Sequence, residues 1–232
     1  MQDIQTKAAA VTVQASASAH SLNPAGARVL RDTYRLLAAT LAFSAVVAGM
    51  SAALKLPHPG LLLTLGGYFG LLFLTSYLRN SAWGLLSVFG LTGFMGYTLG
   101  PIIAAYLSMP GGSDIVTTAM GSTAVIFLAL SWYAKREDAV DMSRFGSFLM
   151  VGILTAFCLA LAAYFLQLPG LALAVSGLFV LLMSGMIMYQ IQAIVRGGED
   201  NYIMATVTLF VAIYNPVSYT HLRAHETRYV IS

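Results

Sequence analysis

Residues 185–215 read GMIMYQIQAIVRGGEDNYIMATVTLFVAIYN. An apolar run carrying Tyr189, Gln190 and Gln192 stops at Arg196. A polar turn follows, Gly197-Gly198-Glu199-Asp200-Asn201, and a second apolar run starts at Tyr202. Two long apolar runs joined by a tight polar turn predict a helical hairpin in a membrane. Upstream the chain reads as plain membrane helix, so this hairpin carries most of the polar groups that look placed.

The composition supports that environment. Of 232 residues, 58% are hydrophobic and 9% charged, against about 25% charged in a soluble globular domain. The single cysteine, Cys158, sits in an apolar run, so an intrachain disulfide and a Cys-rich metal pattern are both excluded. The net charge is +3. Basic residues bracket apolar spans instead of forming a patch, which speaks for topology and against a nucleic-acid partner. Residues 1–27 are rich in Ala, Ser, Gln and Thr and lack the basic start and apolar core of a signal peptide. They read as a flexible tail.

A membrane-crossing helix needs about 20 mostly apolar residues. Seven stretches qualify or nearly do: 34–54, 61–78, 83–107, 115–133, 145–166, 171–195 and 202–217. With the N-terminus inside, Lys7, Arg28, Arg31, Arg35, Arg79, Lys135, Arg136, Arg144 and Arg196 all fall on the cytoplasmic side. Only Lys55 falls in an outer loop. This asymmetry predicts an N-in, multi-pass protein. A faint repeat pairs LPHPGLLLTLGGYFGLLFL from Leu56 with LPGLALAVSGLFVLLMS from Leu168. It reads either as a duplicated hairpin or as the common use of Pro-Gly in loops between helices.

The C-terminal end departs from this pattern. The seventh span is short and meets Pro216, after which SYTHLRAHETRYVIS is polar without an amphipathic stripe. VSYTHLRAHET resembles a translated sequencing adapter, so residues 217–232 read as non-native and 28–216 as the membrane domain. The alternative is a natural amphipathic tail. On the first reading His221, His225 and Glu226 form no metal or catalytic cluster.

Enzyme signatures are missing from the sequence: it contains neither H-E-x-x-H nor G-x-S-x-G. The middles of the spans carry no Asp, Glu, Lys, Arg or His, which argues against a proton-coupled pump. The candidates that remain are amides, glycines and the hairpin turn. Gln190 reads as helix–helix glue or as the lining of a hydrated cavity. Asn215, deep in the last span, needs a partner. Gly90, Gly93, Gly96 and Gly100 precede Pro101. They predict either close packing or, at Gly100-Pro101, a kink or break that works as a gating hinge. Glu199 and Asp200 beside Arg196 read as a solvated loop, or as a gate in which Arg196 pairs with an acid. No cofactor is implied.

Four stretches then stand out together: LRDTYRLLAATLAFSA, GLLLTLGGYFGLLFLT, TGFMGYTLGPIIAAYL and IVRGGEDNYIMATVTLFVAIYN. In this order they resemble the Bax inhibitor-1 (TMBIM) family, in its bacterial YccA branch, over about residues 30–215. The resemblance implies an all-α integral membrane protein of the bacterial inner membrane, its six helices in hairpins around a central seventh, truncated here. It also implies a link to calcium or other cation leak. For this branch it implies interaction with the membrane-anchored FtsH quality-control protease, which grips unfolded ends such as the N-terminal tail. Channel-like members carry an acid in the sixth span and one in the seventh. The matching positions here are Gln190 and Ala212, neither of which titrates, so the resemblance does not carry an acid-pair gate to this chain.

Overall fold

The computed structural model describes residues 24–136 and 138–220, with side chains through residue 215. Among them the architecture is all-helical. The helices are α1 (Pro24–Ala53), α2 (Leu61–Leu78), α3 (Ala82–Leu107), α4 (Gly112–Ala134), α5 (Gly146–Phe165), α6 (Pro169–Val195) and α7 (Tyr202–Thr220), with a 3₁₀ turn at Ser143–Phe145 before α5. Six helices are long and apolar enough to cross a membrane, α5 together with its 3₁₀ turn being one of them. The apolar part of α7, Tyr202–Asn215, is shorter. The helix nevertheless continues past Pro216 to Thr220, so the proline does not end it. Most of the N-terminal tail, and residues 221–232 with their histidines, lie outside the described residues. Residues 24–27, expected in that tail, form the first turn of α1.

Burial is inverted relative to a water-soluble fold. Leu62, Phe73 and Leu181 are each more than 70% exposed, an apolar surface that only lipid would cover favourably. The α2 helix lies at the periphery and buries only Thr75. The α7 helix is the opposite case. It contacts α1, α3, α4 and α6, and Ala205, Thr206, Val207, Leu209, Phe210 and Ala212 are all nearly or fully buried. Enclosed on several sides, a short helix needs little length to contribute much of the core.

The α1–α3 seam shows what the glycine-rich third span does. A Cβ on Gly96 would lie 2.4 Å from the Ser44 carbonyl oxygen, and one on Gly100 would lie 2.5 Å from the Ser51 Cβ. These glycines therefore let two backbones touch. The expected break at Gly100-Pro101 is not seen, because α3 runs through it. Proline lacks the N–H that would bond to the carbonyl four residues back. That carbonyl belongs to Tyr97, and it accepts the Ser51 hydroxyl at 3.1 Å. The close approach that glycine allows thus also brings the donor that proline requires.

Candidate functional site

The α6–α7 turn follows from its residue types. Gly197 adopts φ +78°, a conformation glycine reaches without steric cost. Its N–H donates to Ile194 at 3.1 Å, while the Gly198 N–H donates to Ala193 at 2.8 Å. Together these two bonds close α6 with a Schellman motif. Asn201 then caps α7, its Oδ1 accepting the Met204 N–H at 3.0 Å. Glu199 completes the turn by accepting the Asn201 N–H at 2.9 Å. The Glu199 carboxylate therefore has a local structural partner, while Asp200 is exposed.

Two neighbouring loops are tied to this turn. The Asn201 Nδ2 donates to the Arg79 carbonyl at 3.1 Å and to Asn80 Oδ1 at 2.9 Å, which binds the α2–α3 loop. On the other side Gln192 fixes the α4–α5 connector. Its Oε1 accepts the Met142 N–H at 2.9 Å and its Nε2 donates to the Val140 carbonyl at 2.8 Å. Arg196 pairs with Asp141 of the same connector. The arginine expected to pair with Glu199 or Asp200 instead takes an acid fifty-five positions earlier. The start of α1 meets the same end, since a Cβ on Gly26 would lie 2.7 Å from the Ile194 carbonyl oxygen.

Asp141 is held well below the usual carboxylate range, at about 2. The Ser143 backbone N–H is the main cause, followed by the Ser143 hydroxyl and then the Arg196 guanidinium. In the same connector Asp138 is also lowered, chiefly by its hydrogen bond from Arg136. Both acids therefore stay ionised at neutral pH.

The sequence-predicted residues fall into two groups at opposite ends of the bundle. Arg196, Glu199 and Asp200 share the turn. Gln190 is buried at 6% exposure, six residues before Arg196 and so about 9 Å deeper along the helix. Its Nε2 has no hydrogen-bond partner. Gly100, Pro101 and Asn215 lie near the other end, where the Tyr214 hydroxyl meets Thr98 Oγ1 and the Met95 carbonyl, each at 3.1 Å. The Asn215 Nδ2 donates to Val211 of its own helix at 2.9 Å, so its partner is not on a neighbouring helix. Ala212 is fully buried in α7. Among the described residues no group of three His, Cys, Asp or Glu side chains could hold a metal ion.

Two residues important to this geometry stood in the quoted hairpin without a role assigned to them. Asn201 carried a readable signal, an Asn placed just before an apolar run as a helix cap is. Gln192 carried none beyond its depth, because its partners are backbone groups of a distant connector.

Comparison with known proteins agrees with the motifs. The family described as "Inhibitor of apoptosis-promoting Bax1" matches residues 26–217. An uncharacterized protein of Pseudomonas aeruginosa is 52% identical, covering 81% of this chain and 84% of its own length. "Modulator of FtsH protease YccA" of Escherichia coli K12 is 49% identical over 81% of this chain and 85% of its own. "Inner membrane protein YccA" of a second Escherichia coli strain, CFT073, matches to the same extent. The chain belongs to the Bax inhibitor-1 family.

Proposed function

We propose that this protein binds and modulates an FtsH-type membrane protease in the bacterial inner membrane. In this reading it crosses the membrane seven times with its N-terminus in the cytoplasm, six helices in hairpins surrounding α7. The observation that carries the reading is the 49% identity, over four-fifths of the chain, to a protein named for modulating FtsH. The uncharged Gln190 and buried Ala212 fit it, because a modulator needs no titrating pair in its core. The names in the family describe a regulator and not an enzyme. The turn, with Arg196, Glu199 and Asp200, and the N-terminal tail would then face the protease on one side of the membrane. Affinity capture of the full chain from membranes tests the idea. FtsH should co-purify, and deleting residues 1–23, which leaves α1 whole, should slow turnover of the chain. Absence of the protease from the capture, together with unchanged turnover, would refute it.

A second reading is a passive leak for calcium or another cation, favoured by the buried, unpartnered amide of Gln190. Gly100 and Pro101 would then line or hinge a constriction near Asn215. Calcium flux into proteoliposomes tests it. Flux equal to that of empty vesicles at both acid and neutral pH would remove it.

A further inference from the structure

Among the described residues, four buried side-chain polar atoms have no hydrogen-bond partner: Thr33 Oγ1, Tyr34 Oη, Ser131 Oγ and Gln190 Nε2. They come from three helices, α1, α4 and α6. They also lie toward the same end of the bundle, within about one helical turn of one another in depth. Gly26 of α1 abuts the Ile194 carbonyl of α6, and the two helices contact each other. From that level Thr33 is seven residues along α1 and Gln190 four residues back along α6, so they lie about 10 and about 6 Å into the bundle. Ser131 is three residues from the end of α4, about 5 Å in. The Tyr34 hydroxyl comes close enough to Ser131 across the helix boundary to interact with it, but the geometry is too poor to satisfy either oxygen. Thr206 of α7 reaches the same region: its hydroxyl donates to the Tyr202 carbonyl of its own helix at 2.7 Å and lies 3.3 Å from the Thr33 carbonyl.

Each orphaned polar group leaves its desolvation cost uncompensated and so calls for a partner. Lipid offers no donor or acceptor to offset that cost. We propose that this layer is a built hydration site, in which water held between α1, α4 and α6 bridges the Tyr34 and Ser131 hydroxyls and reaches Thr33 and Gln190. The chemistry selects water over a bare cation. All four groups are neutral, and the carboxylate next to them in sequence, Asp32, is half-exposed and pairs with Arg31 at 3.3 Å and Arg35 at 4.0 Å. The Lys135 ammonium stands 5.6 Å from the Tyr34 ring centroid, a positive charge at the rim that disfavours a second cation. Neutral hydroxyls and an amide left without partners are the polar groups for which internal water is retained.

The test uses the full chain in lipid nanodiscs. Radiolytic hydroxyl labelling marks side chains that touch ordered water, including buried ones. Tyr34 should label several-fold faster than Phe210, which is fully buried in α7. Labelling no faster than Phe210 would overturn the proposal without any variant having to fold. The shape-conserving changes Tyr34→Phe and Thr33→Val separate a wet layer from a dry one by sign. Each should lower the unfolding midpoint by a few degrees, on the order of 2–4 °C, because a bonded water loses a partner. A midpoint that stays or rises would mean that the removed group was a dry orphan, and the proposal would fail.

Discussion

At the α1–α3 seam, backbone meets backbone: Gly96 lies against Ser44, Gly100 against Ser51 and Ala48, and no side chain fits between them. At the α6–α7 turn, amides and one ion pair do the joining, through Asn201 to the α2–α3 loop and through Gln192 and Arg196 to the α4–α5 connector. The first contact is steric and short-ranged, so it either fits or fails. The second is a set of separate hydrogen bonds, each of modest net worth and each removable alone. The contrast teaches where this bundle is stiff and where it can be loosened stepwise. The seam is held by backbone contact along its length, while the turn is a junction whose ties to each loop are separate hydrogen bonds.

The comparison breaks most sharply at the seam. Gly96→Leu should destabilise the protein by about 3 kcal/mol or more, since overpacking against backbone has no flexible side chain to yield. Gly66→Ala on the open face of α2, where a Cβ meets nothing within 4 Å, should be neutral or slightly stabilising by helix propensity. Thermal unfolding of both variants in detergent checks the pair, and equal losses would erase the distinction between seam and surface.

At the turn, Gln192→Leu should cost about 1–3 kcal/mol, because the Met142 N–H and Val140 carbonyl lose their buried partner. It should also raise hydrogen exchange in the α4–α5 connector while leaving α1 and α3 unchanged. Asn201→Ala should cost about 1 kcal/mol, in the range of a lost helix cap. Its exchange signature should move to the α2–α3 loop and the first turn of α7.

The ion pair should matter least. Both partners are about half-exposed, and exposed pairs contribute little. The sign of its pH dependence follows from the lowered Asp141. A carboxyl whose folded-state pKa is depressed stabilises the fold fully above its usual 3.8 and loses that contribution as pH falls through about 2. The small difference in unfolding midpoint between the wild-type chain and Asp141→Asn should therefore be flat from pH 8 to pH 5. It should shrink only below 3.8, and a change near neutral pH would identify a titrating group at the turn that the geometry does not supply.

Much of this arrangement could be read from residue order. Apolar length located the six crossing helices to within a few residues, except that α1 begins ten residues before its predicted span, at Pro24. The first turns of α1 are amphipathic and rich in arginine, so they fail an apolarity test while remaining helical. Gly197 and Asn201 announced a helix stop and a helix start. What could not be read was pairing. Arg196 takes Asp141 across fifty-five positions, and the Tyr97 carbonyl freed by Pro101 takes Ser51 across forty-six. Neither partner is marked in the sequence, because any nearby acid or hydroxyl would serve and only proximity selects one.

By itself the sequence determined the solvent, the helices and the family, since these depend on local apolarity, on charge between spans and on motifs that survive in order. Tertiary structure alone decided that Gly100-Pro101 packs without breaking, that Gln192 holds a connector, and that polar atoms of α1, α4 and α6 are buried without partners. Those outcomes depend on which helices approach within a few ångströms, and that distance is a property of the assembled bundle and not of any single stretch of it.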